Sequence, residues 1–522
     1  MKNQFFICIL IISPFFSGCL PKKDKSDLER LYEISQTVSD NMSGEDLSRA
    51  YCSSCHAFAD PQLLDKETWK NVLPQMGVRM GIRTEIKDPY KNMSPMDRLY
   101  VRKTDMFPEV SIITPEQWYK IKIYYLSQSP DKLPEIRRKK SIQKGHSLFE
   151  FKTRQLDLPA GGLTTMIRQT PDKSSIYIGD GRNLLLRVNH DFVIQERIEV
   201  PSPPLDIEFL PDDQAYITCV GIIHPHDQPL GRILKMDENG SLETIIENLK
   251  RPVSTLFADL NADNAPDFVF SEYGNIIGEL SWFENQGAET YQRHTLEASP
   301  GAIQSYVEDF NNDGRPDIIS LLAQGNEAIY LFYNQGQNRF QKKQVLQFPP
   351  VFGSSWFTIN DINKDGHLDI IYVHGDNADY SMILKPYHGM RIYLNDGKDN
   401  FTESYFFPMY GASYAETGDF DEDGDDDIVL ISFFPDFNLE APENVIFLEN
   451  TSAETLEFSA YTFEGTKSGR WIIISKMDYD QDSDMDLLLG SFTFSPAPTP
   501  VEARREWQKE NVHIGILENT LH

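Results

Sequence analysis

The nine residues Asp309-Phe310-Asn311-Asn312-Asp313-Gly314-Arg315-Pro316-Asp317 run directly into the apolar segment Ile318–Leu322. Side-chain oxygens stand at positions 1, 3, 5 and 9 of this stretch, and a glycine at position 6. A hard divalent cation such as Ca²⁺ asks a short loop for several carboxylates, a backbone carbonyl near position 7 and a residue free to turn sharply. An EF-hand needs a bidentate Glu at position 12 and a flanking helix. Here the ninth residue closes the loop, and a β-branched strand follows at once.

The pattern recurs. Asp361, Asn363, Asp365, Gly366 and Asp369 repeat it, as do Asp419, Asp421, Asp423, Gly424 and Asp427. Asp478, Asp480, Asp482 and Asp486 carry Ser483 in the glycine position; Asp259, Asn261, Asp263 and Asp267 carry Asn264, a residue that tolerates positive φ. Successive starts lie 50, 52, 58 and 59 residues apart. A period of that size, filled with short strands, marks a repeat architecture. One such run is also an ordinary solvated turn; five in register predict five cation loops.

Around each loop the same order of strands is expected. An apolar strand leads in, an Ile/Val/Leu strand follows, a third ends in an Asn-containing turn and a fourth begins near Phe. Gln304–Glu308, Ile318–Leu322, Ala328–Asn334 and Arg339–Gln347 show it once. Third strands end alike at Asn285, Asn334, Asn395, Asn450 and Asn519. Two earlier units lack the acidic loop but keep the order, starting at Thr164 and Leu205. Seven four-stranded units predict a seven-bladed β-propeller over 147–522. The last unit lacks its fourth strand, which the segment 147–157 can supply, closing the ring without an open edge. An open β-solenoid fits the period less well. The five loops carry a resemblance to the FG-GAP/VCBS repeat family, the propeller of integrin α subunits and many exported bacterial proteins. The FG-GAP element itself is poorly kept, so the comparison concerns fold and calcium.

The 522 residues, 40% of them hydrophobic, suffice for two domains with cores. Residues 20–150 carry 22 Lys/Arg against 19 Asp/Glu, whereas residues 151–522 carry 26 against 60. The loops supply 17 of those carboxylates, so bound cations relieve self-repulsion. Such an acidic surface excludes nucleic acid as a partner.

Cys52-Ser-Ser-Cys55-His56 is C-x-x-C-H, the signature of c-type haem attachment, in which both thiols bind one haem and the histidine is its proximal iron ligand. A zinc half-site needs a second cysteine pair, and a redox dithiol a βαβ surround; neither is present in the sequence. Ser43 with Asp46 forms a capping box for the helix expected to carry both cysteines. Asp65 caps a second helix with Trp69, Val72 and Met76 on one side, and Thr114-Pro115 starts a third. A haem segment followed by a final aromatic helix resembles class I cytochromes c, over 40–130, with a linker at 131–146. The candidates for the sixth iron ligand are Met76, favoured, then Met80 and Met106, with Met93 and Met96 behind. A thioether there raises the potential relative to a second histidine.

Lys2 and the apolar run Phe5–Phe16 lead to Phe16-Ser-Gly-Cys19. This resembles the lipobox of bacterial lipoproteins, with Phe in place of the usual Leu. It implies a leader over 1–18, a lipidated Cys19 and a tether over 19–39, in an envelope protein facing the periplasm or the outside. A soluble secreted protein is the alternative. The whole chain resembles bacterial lipoproteins that join a cytochrome c domain to such repeats. Cys219 is left over and is expected to be a buried thiol.

Loops joining second to third strands share the face opposite the acidic loops. Four are long, including Ile223–Leu230, with His224 and His226, and the segment from His374 to His388. They are expected to form a face for a glycan, a small molecule or a redox partner protein. The functional expectation is a membrane-anchored electron carrier with one haem and up to five Ca²⁺. The alternatives are an adhesion protein with an accessory haem, or a propeller dehydrogenase that feeds the haem. No G-x-S-x-G, H-E-x-x-H or dinucleotide fingerprint points to hydrolase or transferase chemistry.

Overall fold

The computed structural model describes residues 42–210, 214–237, 239–378, 380–439, 441, 443–494 and 499–522. The expected leader, Cys19 and the tether lie outside them. Among the described residues no helix is long and apolar enough to cross a membrane.

Seven antiparallel sheets make the second part of the chain. Blades one to six start at Thr164, Pro204, Pro252, Ala302, Ser354 and Ala412, and each runs through four consecutive strands. Blade seven takes Trp471–Met477, Asp486–Ser491 and Ile514–Asn519 from the C-terminal region and closes with Phe149–Arg154. That seam is fully registered, from Phe149 opposite Asn519 to Arg154 opposite Ile514. The strand paired at this seam is Phe149–Arg154, within the 147–157 segment of the sequence reading.

Sequence and burial explain the strand order. Second strands such as Asp317–Leu322 are buried at every residue, because neighbouring strands and neighbouring blades cover both faces; hence their unbroken apolar runs. Outer strands such as Phe340–Gln347 are half-buried or exposed at every residue, because one edge and much of both faces meet solvent. In every blade the first strand is shifted in register against the second near its start, a bulge that sharpens the twist. Buried apolar clusters bridge each pair of neighbouring blades all the way round. Leu234 packs with Leu185 between blades one and two, and Ile178 with Leu488 between blades seven and one. The ring is thus held by blade-to-blade packing and by one hydrogen-bonded seam.

The first part is helical: α1 (Gly44–Cys52), α2 (Lys66–Arg79), α3 (Pro95–Val101) and α4 (Pro115–Gln128). Their caps are those the sequence signals: the Ser43/Asp46 box, Asp65, and the Thr114/Gln117 box. α3, capped by Ser94, was not anticipated. Trp69, Trp118, Ile121 and Tyr125 form the core of this module. A further helix, α5 (Val501–Glu510), lies in the long insertion of blade seven.

The linker expected at 131–146 is only partly a linker. Gln143–Lys144 pair in parallel with Tyr461–Thr462 and give blade six a fifth strand. Upstream, the two terminal guanidinium nitrogens of Arg138 grip the Glu443 carboxylate at 3.0 and 2.6 Å, and its Nε donates to the Pro408 carbonyl. The basic run is thus used as an anchor.

Candidate functional site

The C-x-x-C-H segment does not lie wholly on a helix, as the sequence reading had it. α1 ends at Cys52, and Cys55 and His56 sit in the turns that follow. The Ser54 hydroxyl donates to the Tyr51 carbonyl and competes with the helical ladder there. Burial pushes the Cys52 thiol up to about 12, so it is a neutral thiol against the Tyr125 hydroxyl rather than a reactive thiolate. That is poor chemistry for a redox dithiol. Burial likewise lowers the His56 imidazole below its usual range and keeps it neutral. Its Nδ1 lies 2.8 Å from the Ala57 carbonyl, to which it donates in the tautomer that leaves Nε2 as the free ligand atom.

Cys52, Cys55 and His56 open on one cavity of about 1490 Å³, together with Trp69, Ile112 and Tyr125. Met76, Met80, Met93 and Met106 line it as well; Met96 does not and is 48% exposed. Met106 is held by the Arg79 guanidinium, and Met80 is nearly buried at the end of α2. Met76 projects from the same side of α2 as Trp69 and Val72. An apolar wall, two cysteines, a neutral histidine with a fixed Nδ1 and several thioethers suit a covalently attached haem.

The remaining wall of this cavity comes from the propeller. Asn275, Ile276, Pro300, Ala323, Gln324 and Glu327 belong to the face opposite the acidic loops. The module is fastened there by polar contacts. An Asp97 carboxylate oxygen accepts from the backbone amide of Asp227 at 2.9 Å, and the Tyr387 hydroxyl donates to the Leu63 carbonyl at 2.8 Å. Val351 and Ile383 add apolar contact to the helical core. Burial disfavours the Asp97 charge, but bonds from Ser94, Asp227 and Gln228 hold its carboxyl below the usual range. The face expected to receive a partner thus carries the chain's own helical module. The two histidines of the Ile223–Leu230 loop do not come together as metal ligands. Both ring nitrogens of His226 face backbone amides, of Ile222 and Gln228, while His224 packs edge-on to Phe494.

All five acidic loops lie between first and second strands of blades three to seven, on the other face. Each bends through two left-handed residues, at its fourth and sixth positions: Ala262/Asn264, Asn312/Gly314, Lys364/Gly366, Glu422/Gly424 and Gln481/Ser483. In the first three, the position-1 carboxylate accepts two backbone amides, as Asp309 does from Asp313 and Gly314 at 3.0 and 2.8 Å. Asn261, Asn311 and Asn363 each accept from the amide two residues on. In blade six, Asp419, Asp421 and Asp423 bring ligand oxygens within 4.8 Å of one another, but Asp427 is outside that group. In blade seven the group is Asp478, Asp480 and Asp486, without Asp482.

The ninth residue ties the loop to the third strand. Asp267, Asp317, Asp369, Asp427 and Asp486 are completely buried, and one oxygen of each accepts the amide of the third-strand Asn at 2.7–2.8 Å. That Asn side chain returns a bond to the carbonyl before the Asp. Asn334 and Asn519 also reach the preceding blade, at the Leu260 and Phe420 carbonyls, both 2.8 Å away. The recurrent Asn in the sequence was the signal; its pairing with position 9 was not recognised. Burial, then neighbouring carboxylates, push Asp267 and Asp369 up to about 6 and Asp427 and Asp486 up to about 8. An oxygen-only donor set whose charges oppose one another suits a hard cation. Cys219 is buried, and burial pushes its thiol up to about 12.

Fold and loops together define a seven-bladed β-propeller with an acidic loop between the first and second strands of five blades. Residues 259–320 and 309–372 match the family model described as an FG-GAP-like repeat, across blades three and four and into blade five. Among solved structures, the crystal structure of the N-terminal domain of Nup159 is similar at 12% identity and a TM-score of 0.42, over 74% of this chain and 100% of that one. No curated protein matches the chain.

Proposed function

We propose that the chain is an exported c-type cytochrome whose propeller, stiffened by Ca²⁺ in the acidic loops, completes the redox site and docks its partner. The observation that carries this reading is the convergence of Cys52, Cys55, His56 and the Met76 side of α2 on one apolar-walled cavity. When bound, haem supplies one-electron transfer between Fe(II) and Fe(III). Cys52 and Cys55 would hold it through thioethers, and His56 Nε2 and Met76, ahead of Met80 and Met106, would ligate its iron. Trp69 and Tyr125, 4.5 Å apart between ring centroids, would give it an apolar wall. The oxygens named above in the five loops hold the calcium ions. A lipid on Cys19 anchors the protein to the cell envelope, where a redox partner protein meets it.

The propeller lines the same cavity as the cysteines, which favours a dehydrogenase as the second reading over an adhesion protein with an accessory haem. The test is a pyridine haemochrome spectrum and intact mass of protein matured through a bacterial export and cytochrome c assembly route. One covalent haem, lost in the double variant Cys52→Ser/Cys55→Ser, is expected. A mature protein without haem overturns the reading.

A further inference from the structure

The insertion of blade five, between Asp369–His374 and Gly389–Asn395, buries a lysine. Lys385 is 2% exposed, and its Nζ donates to Asn377 Oδ1 at 2.7 Å. A lysine is almost never buried so fully without a partner; one partner here is a neutral carboxamide. His388, in the same insertion, is 1% exposed, and its Nε2 has no hydrogen-bond partner. Burial first, and then the Lys385 charge, hold that imidazole well below its usual range, so it is neutral. This is also the insertion that fastens the helical module, through Tyr387 and Ile383, and Tyr380 and Ser381 within it line the cavity.

We infer that Lys385 and Asn377 join in an isopeptide bond that staples the insertion. Nζ, as the amine, adds to Asn377 Cγ, the carbon that bears the oxygen it already contacts. The Cγ–Nδ2 bond breaks, one Nζ proton passes to Nδ2, and ammonia leaves. Nothing is oxidised or reduced, and no further reactant is needed. His388 Nε2, neutral and unpartnered, relays the proton. A dry site favours the neutral, nucleophilic form of an amine and keeps water from competing for the carbonyl. The product replaces a buried amine and a carboxamide with one neutral amide, which lowers the desolvation cost of the site. Among the described residues no disulfide braces the chain; the staple gives the loop between Asn377 and Lys385 a covalent closure, and Tyr380, Ser381 and Ile383 lie inside it. None of this rests on the haem reading.

The test is mass spectrometry of the full-length protein, denatured and cut with chymotrypsin, which cleaves after Tyr380, between the two residues. The pieces that hold Asn377 and Lys385 are expected to stay joined, one ammonia lighter than their sum. Lys385→Met and Asn377→Ala should each give separate pieces of full mass. His388→Phe should leave most molecules unjoined, and complete joining in that variant would overturn the relay. Separate pieces from the unaltered protein overturn the inference, even if the Asn377 piece is an ammonia lighter, since cyclisation of the asparagine alone gives that loss. The readout needs no haem, so its failure is distinct from failure of the haem reading.

Discussion

The seam that closes the propeller should weaken in acid through one residue, His513. It is fully buried beside the closing strand, and its Nδ1 accepts the Leu156 amide at 3.2 Å. Its own amide donates to the Arg154 carbonyl at 3.1 Å. Burial, and then the Arg182 charge, lower its pKa from 6.5 to about 4. The folded pKa lies below the unfolded one, so the unfolded chain takes up the proton more readily between the two values. The stability this group contributes is therefore complete above pH 6.5 and lost as pH falls towards 4. A shift of that size corresponds to roughly 3 kcal/mol. Denaturant unfolding at pH 7 and pH 4, in constant excess Ca²⁺, measures the loss. In His513→Asn the amide oxygen replaces Nδ1 as acceptor and nothing titrates, so the acid loss should be smaller by about that amount. Carboxylates common to both proteins cancel in the difference. Equal losses in the two proteins would refute the reasoning.

Asn334→Ala removes bonds to the Leu260 and Pro316 carbonyls and from the Gly336 amide, and should cost about 2–3 kcal/mol in denaturant unfolding; a cost below ~0.5 kcal/mol, the range of a surface change, contradicts its blade-bridging role. Chelation of divalent ions should lower the melting temperature of the propeller and added Ca²⁺ restore it by mass action; an unchanged melt speaks against cations in the loops. Tyr387→Phe deletes the bond to Leu63, and by loosening the module about 1 kcal/mol should speed proteolysis between residues 131 and 142; identical digestion rates would mean that this bond does not fasten the module.

Much of the propeller was legible because its information is periodic. Asp at position 9 starts the second strand, the following apolar run is buried on both faces, and the same Asn ends the third strand however long the loop before it. The closing strand could be read because one unit lacked a partner for Ile514–Asn519. The contacts that seat the helical module were not legible. Asp97 meets Asp227, and Leu63 meets Tyr387, as single pairs far apart in sequence with no repeat to betray them. The cavity follows from that docking, so the cysteines and histidine could be named from C-x-x-C-H but the propeller wall opposite them could not. The end of α1 at Cys52 was not legible because the Ser54 hydroxyl makes a local bond to the Tyr51 carbonyl that helical periodicity does not report. The short pairing of Gln143–Lys144 was hidden for another reason: two residues carry no strand pattern.

The ring's first-made strand is the one that finds its place last. Between Arg154 and Ile514 lie 359 residues of chain, which at about 5–20 residues per second take on the order of 20–70 s to synthesise. Through that interval Phe149–Arg154 has no partner, and its Phe149 and Phe151 side chains lack their later neighbours Phe447 and Trp471. A nascent chain of this design must carry an orphan sticky segment just behind its helical module, and whatever shields that segment until the final blade emerges governs the yield of closed molecules.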